Sequence, residues 1–172
     1  MKRHVHSILF LVFVAFSVSV FAQQQTTTII LLRHAEKDTT AAGGQMMQSD
    51  PPLSEEGKLR AERLPAVLQE FRPDVIFSTQ YVRTRSTVQP LASKLGLQIR
   101  FYDPGKQEQL AEGLKQLGGQ TVVVAGHSNS IPALLNLLTG TNSYKDLDET
   151  VYNRIYIVRI TGGKVEVELR EY

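Results

Sequence analysis

No cysteine occurs in the 172 residues, which removes disulfides, thiol nucleophiles and thiolate metal sites together. That absence is compatible with an oxidising compartment without requiring one. Histidine is scarce as well, with four in the chain, His4, His6, His34 and His127. No apolar run is long enough for a membrane span. The longest, Ile8 to Phe21, is about fourteen residues against the roughly 18–20 that a spanning helix needs, and Ser17 and Ser19 interrupt it.

What stands at the start of the chain explains that run. Lys2 and Arg3 precede it, Val20-Phe21-Ala22 ends it, and Gln23-Gln24-Gln25 follows. A basic start, a short apolar stretch and a small residue before a polar segment predict a secretory signal peptide over residues 1–22. The mature domain is then 23–172, exported to a periplasmic or extracellular space. A retained membrane anchor is the alternative; after cleavage no stable membrane insertion is expected. The full chain carries 19 basic and 17 acidic residues. Lys2 and Arg3 leave with the leader, so the mature balance is 17 against 17. The basic pI is a property of the leader and gives no case for nucleic acid as a partner. About 150 residues are enough to bury a normal core unaided.

Past the leader, strand and helix patterns alternate. Thr26 to Leu32 is β-branched and apolar and reads as a buried strand ending at Arg33-His34. Thr39 to Pro52 is a loop by composition. Ser54 is an N-cap for a helix running to about Phe71, with acids in its first turn; Pro65 inside it predicts a kink or a break. Asp74 to Ser78 is a short strand, and a helix from near Tyr81 to Leu95 follows, with Pro90 a second irregularity. Leu97 to Tyr102 reads as a strand and Gln107 to Leu117 as a helix. Thr121 to Ala125 is the clearest buried strand, followed by a helix from Ile131 to Leu138. Arg154 to Ile160 and Lys164 to Arg170 form a closing hairpin over Gly162-Gly163. This alternation predicts a three-layer α/β/α fold with a largely parallel central sheet. Ligands in such sheets bind beyond the carboxyl ends of the strands.

Three strand exits carry chemistry. The first ends in Arg33-His34, the second leads through Ser78-Thr79 to Arg83, and the Val122–Ala125 strand ends in Gly126-His127. Both histidines of the mature chain thus follow a buried strand directly. One such histidine is usually structural; two at equivalent exits, one beside an arginine, point to a site.

These residues carry a resemblance. Leu31-Leu32-Arg33-His34-Ala35-Glu36 resembles the Arg-His-Gly-Glu signature of the histidine phosphatase superfamily, also called phosphoglycerate mutase-like. Asp50 to Gly57 is similar to that family's Leu-[Ser/Thr]-x-x-Gly segment, Ser78 to Thr87 to its Ser-x-x-x-x-Arg-[Ala/Thr]-x-x-Thr segment, and Val123 to Ser128 to its Val-x-x-Gly-His segment. The four stand in the family's order between about Ile29 and Leu138. Size and exported context look closest to the compact SixA-like branch.

The resemblance implies a phosphatase working through a phosphohistidine on His34, with Arg33, Arg83 and His127 around the phosphate, no metal and no cofactor. The residues suit that chemistry. A neutral imidazole nitrogen is a good nucleophile near neutral pH, and a transferring phosphoryl group spreads charge over its oxygens, which calls for fixed donors. Arg33 and Arg83 supply planar forks, and His127 would add a donor as imidazolium. Phosphorylated small molecules or phosphoproteins are the expected partners. Glu36 and Lys37 are candidates for the pocket mouth, with Glu36 a substrate-binding candidate; a structural reading would instead pair Arg33 with Glu36. Arg85, two residues from Arg83, is expected on the surface, and Ser78 and Thr87 to serve turns and packing. Ala35 replaces the family's glycine. The general acid many members place between the second arginine and the second histidine has no clear match; Asp103, after a strand, is the first choice.

Three rivals remain in view. Gly126-His127-Ser128-Asn129-Ser130 is one residue from a serine-hydrolase nucleophile elbow, but no histidine follows it to serve as base. A two-histidine metal site would sit badly beside Arg33. A non-catalytic phosphoryl-ligand binding protein on the same fold is the main alternative, because the proton donor is unmatched.

Overall fold

The computed structural model describes residues 25–39 and 50–172. The signal-peptide prediction and most of the loop after Thr39 lie outside these residues. In chain order the elements are β1 Thr26–Arg33, α1 Glu55–Val67, β2 Val75–Ser78, α2 Val82–Leu95, β3 Ile99–Phe101, α3 Gln107–Lys115, β4 Thr121–Gly126, α4 Ser130–Thr139, β5 Arg154–Thr161 and β6 Lys164–Glu171. Every element the sequence pattern predicts is present, with most ends moved by a residue or two and α1 ending at Val67, four residues short of the expected Phe71. Among the described residues no helix is long and apolar enough to cross a membrane.

The strands form one mixed, mostly parallel sheet in the order β3-β2-β4-β1-β5-β6. β3, β2, β4 and β1 run parallel, β5 runs antiparallel to β1, and β6 turns back antiparallel to β5 as the predicted hairpin. Side chains alternate across a strand, and β1 is apolar on both faces. Ile29 and Leu31 pack with Leu114 of α3 and Leu134 of α4. Ile30 and Leu32 pack on the other face with Leu64 of α1 and Leu91 of α2. Two cores, one on each side of the sheet, make the three layers.

Neither proline divides its helix. α1 continues through Pro65 and α2 through Pro90. Pro65 falls in the last turn, where its missing N–H forfeits one bond just before the helix ends at Val67. Both helices bury a stripe against the sheet, and that burial outweighs a single lost hydrogen bond.

Ser54 caps α1 by accepting from the Gly57 amide at 3.1 Å. A Cβ on Gly57 would stand 2.2 Å from the Glu36 carbonyl oxygen, which also accepts from the Ser54 amide at 2.9 Å. Glycine here lets the first turn of α1 lie directly on the segment leaving β1, and that fixes the backbone beside His34.

Candidate active site

Register brings the two histidines together. β1 and β4 are parallel neighbours whose last paired residues are Arg33 and Gly126. The next residue on each strand is a histidine, and the His34 amide donates to the Gly126 carbonyl at 2.8 Å. Their rings meet edge to face with centroids 5.6 Å apart. Gly126 permits this crowding, since a Cβ there would stand 2.8 Å from Ser130 Oγ, Ile131 Cδ1 and the Tyr102 hydroxyl alike.

His34 is 3% exposed. Its Nδ1 lies 2.8 Å from the Ala35 carbonyl, which can only accept. Nδ1 therefore carries the proton and Nε2 the lone pair. Arg83 Nε donates toward that lone pair at 3.3 Å. Burial pushes the His34 pKa down to about 3, with the Arg83, Arg33 and His127 charges helping and the Ala35 bond opposing. The pKa of His127 falls to about 4 through burial and the same arginines, with Asp50 opposing. Both imidazoles are thus held neutral at physiological pH. The imidazolium expected of His127 therefore requires the negative charge of a bound phosphate.

Arg83 comes from the first turn of α2. Its Nη1 donates to Asp50 Oδ1 at 3.2 Å and its guanidinium lies over the Tyr81 ring, 4.5 Å from the centroid. The Asp50 carboxylate also accepts from the Val82 amide, so it caps the helix that carries Arg83. Thr87 ties this helix to β1: its hydroxyl accepts from the Ala35 amide at 2.9 Å and donates to the Arg83 carbonyl at 2.8 Å. This is the structural role expected of Thr87. Arg85 points outward and is exposed.

Arg33, the last residue of β1, is 2% exposed. It does not pair with Glu36. Nη1 donates to the carbonyls of Asp148, Glu149 and Val151 at 2.9, 3.2 and 3.0 Å, Nη2 donates to Glu149 Oε2 at 3.2 Å, and the Tyr152 ring lies 4.1 Å from its Cζ. Glu36 instead makes a largely buried ion pair with Arg60 at 2.6 Å.

Arg33, His34, Arg83 and His127 line one cavity of about 480 Å3, together with Lys37 and Glu149. Lys37 thus lines the cavity and Glu36 does not. Asp103 is exposed, accepts from the Gly105 amide at 2.8 Å, and lines an adjoining cavity of about 700 Å3 with Asp50 and Tyr81. The four central residues converge, and the two acids singled out beforehand do not join them. Sequence reasoning missed Glu149, which belongs to no motif. It also missed Asp50 as a contact of Arg83, although Asp50 opens one of the matched segments. Among the described residues no group of three or more His, Cys, Asp or Glu side chains could hold a metal ion.

Residues 29–108 match the family model described as Histidine phosphatase superfamily (branch 1). That stretch holds Arg33, His34 and Arg83, and the fold carries the likeness onward through β4 to His127. By sequence the likeness to the histidine phosphatase superfamily covers that stretch; over the rest of the described chain it is a likeness of fold.

Its structural neighbours include a protein designated phosphohistidine phosphatase SixA from Nakamurella multipartitia, 22% identical, with 86% of this chain and 95% of that one covered and a TM-score of 0.60. The mycobacterial glucosyl-3-phosphoglycerate phosphatase is 17% identical over 86% and 99% of the two chains, with a TM-score of 0.67. Phosphoserine phosphatase from Entamoeba histolytica, in complex with 3-phosphoglyceric acid, is 16% identical over 85% and 98%, with a TM-score of 0.67. At these identities the likeness is one of fold. No curated protein matches the chain.

Proposed function

We propose that this chain is an exported, metal-independent phosphohydrolase that transfers a phosphoryl group to His34 Nε2 and then to water. The observation that carries the reading is the state of His34. Its lone pair sits on Nε2, its proton is fixed on Nδ1 by the Ala35 carbonyl, and two guanidinium groups and a second imidazole line the cavity beside it.

In the first step Nε2 attacks phosphorus in line and the ester P–O bond breaks. The imidazole becomes cationic, and the Ala35 carbonyl stabilises its Nδ1–H. Arg33, Arg83 and His127 hold the equatorial oxygens, where preorganised donors act most strongly. In the second step water attacks the phosphohistidine, the P–N bond breaks, and phosphate leaves with His34 neutral again. Asp103 lies in the adjoining cavity, so no carboxylic acid identified from the sequence stands ready to protonate the leaving group. That favours substrates whose leaving group departs unaided, such as phosphohistidine or aryl phosphates, over alkyl esters.

The same observation favours the second reading, a phosphoryl-ligand binding protein that does not turn over. An aryl phosphate incubated with the mature protein decides between them. Hydrolysis that survives EDTA and vanishes in His34→Ala supports the enzyme. Phosphate binding with no hydrolysis by the wild-type protein supports the binding module.

A further inference from the structure

Glu149 stands in the segment between α4 and β5, far from every motif. Yet its carboxylate is the meeting point of three side chains at the cavity. Oε2 accepts from Arg33 Nη2 at 3.2 Å and from Lys37 Nζ at 3.0 Å, and Oε1 accepts from Ser128 Oγ at 3.2 Å. Lys37 leaves β1 and Ser128 follows β4, so Glu149 bridges both histidine-bearing strand exits. It is itself 64% exposed, which marks it as a side chain held by these contacts and not by packing.

The backbone around it completes a clamp. The carbonyls of Asp148, Glu149 and Val151 all accept from Arg33 Nη1, and Tyr152 covers a face of the guanidinium. This consumes one edge of the planar fork, the end formed by Nη1 and Nη2. The remaining edge is Nε–H with the second hydrogen of Nη2. Arg33 Nε is buried and has no partner among the described residues. An arginine binds a phosphoryl oxygen pair through either edge, and here the structure leaves one.

Resting on the function proposed above, we propose that Glu149 is a positioning residue: it aims Arg33 so that the Nε edge, not the end of the fork, faces the phosphoryl group. The cost of the arrangement is a carboxylate beside an anion site. It is tolerable because the Arg33 and Lys37 charges on either side compensate it, as the lowered pKa of Glu149 shows, with the Lys37 hydrogen bond its leading cause. A pinned donor matters most in the transition state, where the equatorial oxygens are placed to within a fraction of an ångström.

Two substitutions and two readouts test this. Glu149→Ala is expected to fold normally, with an unchanged thermal midpoint, and to lose roughly 10–100-fold in kcat with a small change in KM. Glu149→Gln keeps an oxygen for Arg33 Nη2 and is expected to recover most of that loss. The loss should be the same for aryl and alkyl phosphates. Calorimetry with inorganic phosphate should show weaker binding to Glu149→Ala than to wild type. Tighter phosphate binding, or full activity, in Glu149→Ala would overturn the proposal and leave Glu149 a competing anion. A loss that grows with leaving-group pKa and is not rescued by Gln would also overturn it, in favour of proton donation. His34→Ala assayed alongside reports separately on the phosphohistidine reading, and the phosphate-binding arm holds whether or not turnover is seen.

Discussion

The imidazole of His34 meets that of His127 edge to face, 5.6 Å between centroids, and each ring is held neutral by burial with two guanidinium charges nearby. On the proposed mechanism their pKa values, about 3 and about 4, set the acid side of the rate profile. His34 Nε2 keeps its lone pair down to a pH well below neutrality. The kcat/KM profile, corrected for the substrate phosphate's ionisation near about 6, should stay level from pH 8 to about 5 and fall below that. A limb centred near the ordinary histidine value of 6.5 would show that burial does not act as described.

The same shifts make stability depend on pH. The folded pKa of His34, about 3, lies below the ordinary 6.5, so between these values the unfolded chain binds more protons. Stability is therefore full above about 6.5 and declines as pH falls toward the folded values. Each neutralised imidazole contributes a slope of at most about 1.4 kcal/mol per pH unit, and the more exposed His127 contributes less. Urea unfolding at a series of pH values should show the decline, and His34→Gln should flatten it.

Gly57→Ala and Gly126→Ala should both destabilise, in that order of severity. The first puts a methyl group 2.2 Å from a backbone carbonyl oxygen, the second 2.8 Å from three side-chain atoms. Side chains give way more cheaply than backbone. Overpacking of this kind costs roughly 1–3 kcal/mol, with Gly57 at or above the top of the range. Denaturant midpoints measure both. The Gly126 variant should also lose activity at temperatures where it is fully folded, because its neighbour His127 moves.

Arg60 is buried and gives Nε and Nη2 to Glu36 and Nη1 to the Tyr172 carbonyl. Burial alone would raise the Glu36 pKa, but the Arg60 hydrogen bonds bring it below the ordinary value. Removing Arg60 strands that carboxylate, a change that costs about 3 kcal/mol when a buried partner is lost. Arg60→Met should lower the denaturant midpoint accordingly while leaving kcat unchanged at low temperature. A fall in kcat without a fall in stability would return Glu36 to the pocket mouth.

Asp50 joins Arg83 to the start of α2. Asp50→Ala removes both contacts and should cost about 1 kcal/mol as a lost helix cap. It should also reduce kcat, because Arg83 is then free to rotate away from His34. Asp50→Asn keeps an oxygen for the Val82 amide, so its stability should be restored further than its activity. Paired unfolding and rate measurements separate the two effects.

Much of this protein was legible in its residues. The alternation of β-branched runs with capped, striped segments gave the order of strands and helices, because burial on both faces of a sheet demands those patterns locally. The placement of Arg33-His34 and Gly126-His127 at strand ends pointed to one rim, and the motif at Ser78 to Thr87 selected Arg83 over Arg85. The division allowed at Pro65 does not occur, because local propensity weighs little against a helix face buried on a sheet. What the chain alone could not decide was the partner of each charge. Glu36 serves Arg60 and not Arg33, Asp103 faces the neighbouring cavity, and Glu149, more than a hundred residues beyond Arg33, closes on it. Secondary structure is written in nearest neighbours and period; ion pairs form between groups that only the packed sheet brings within reach, so their pairing belongs to the tertiary structure.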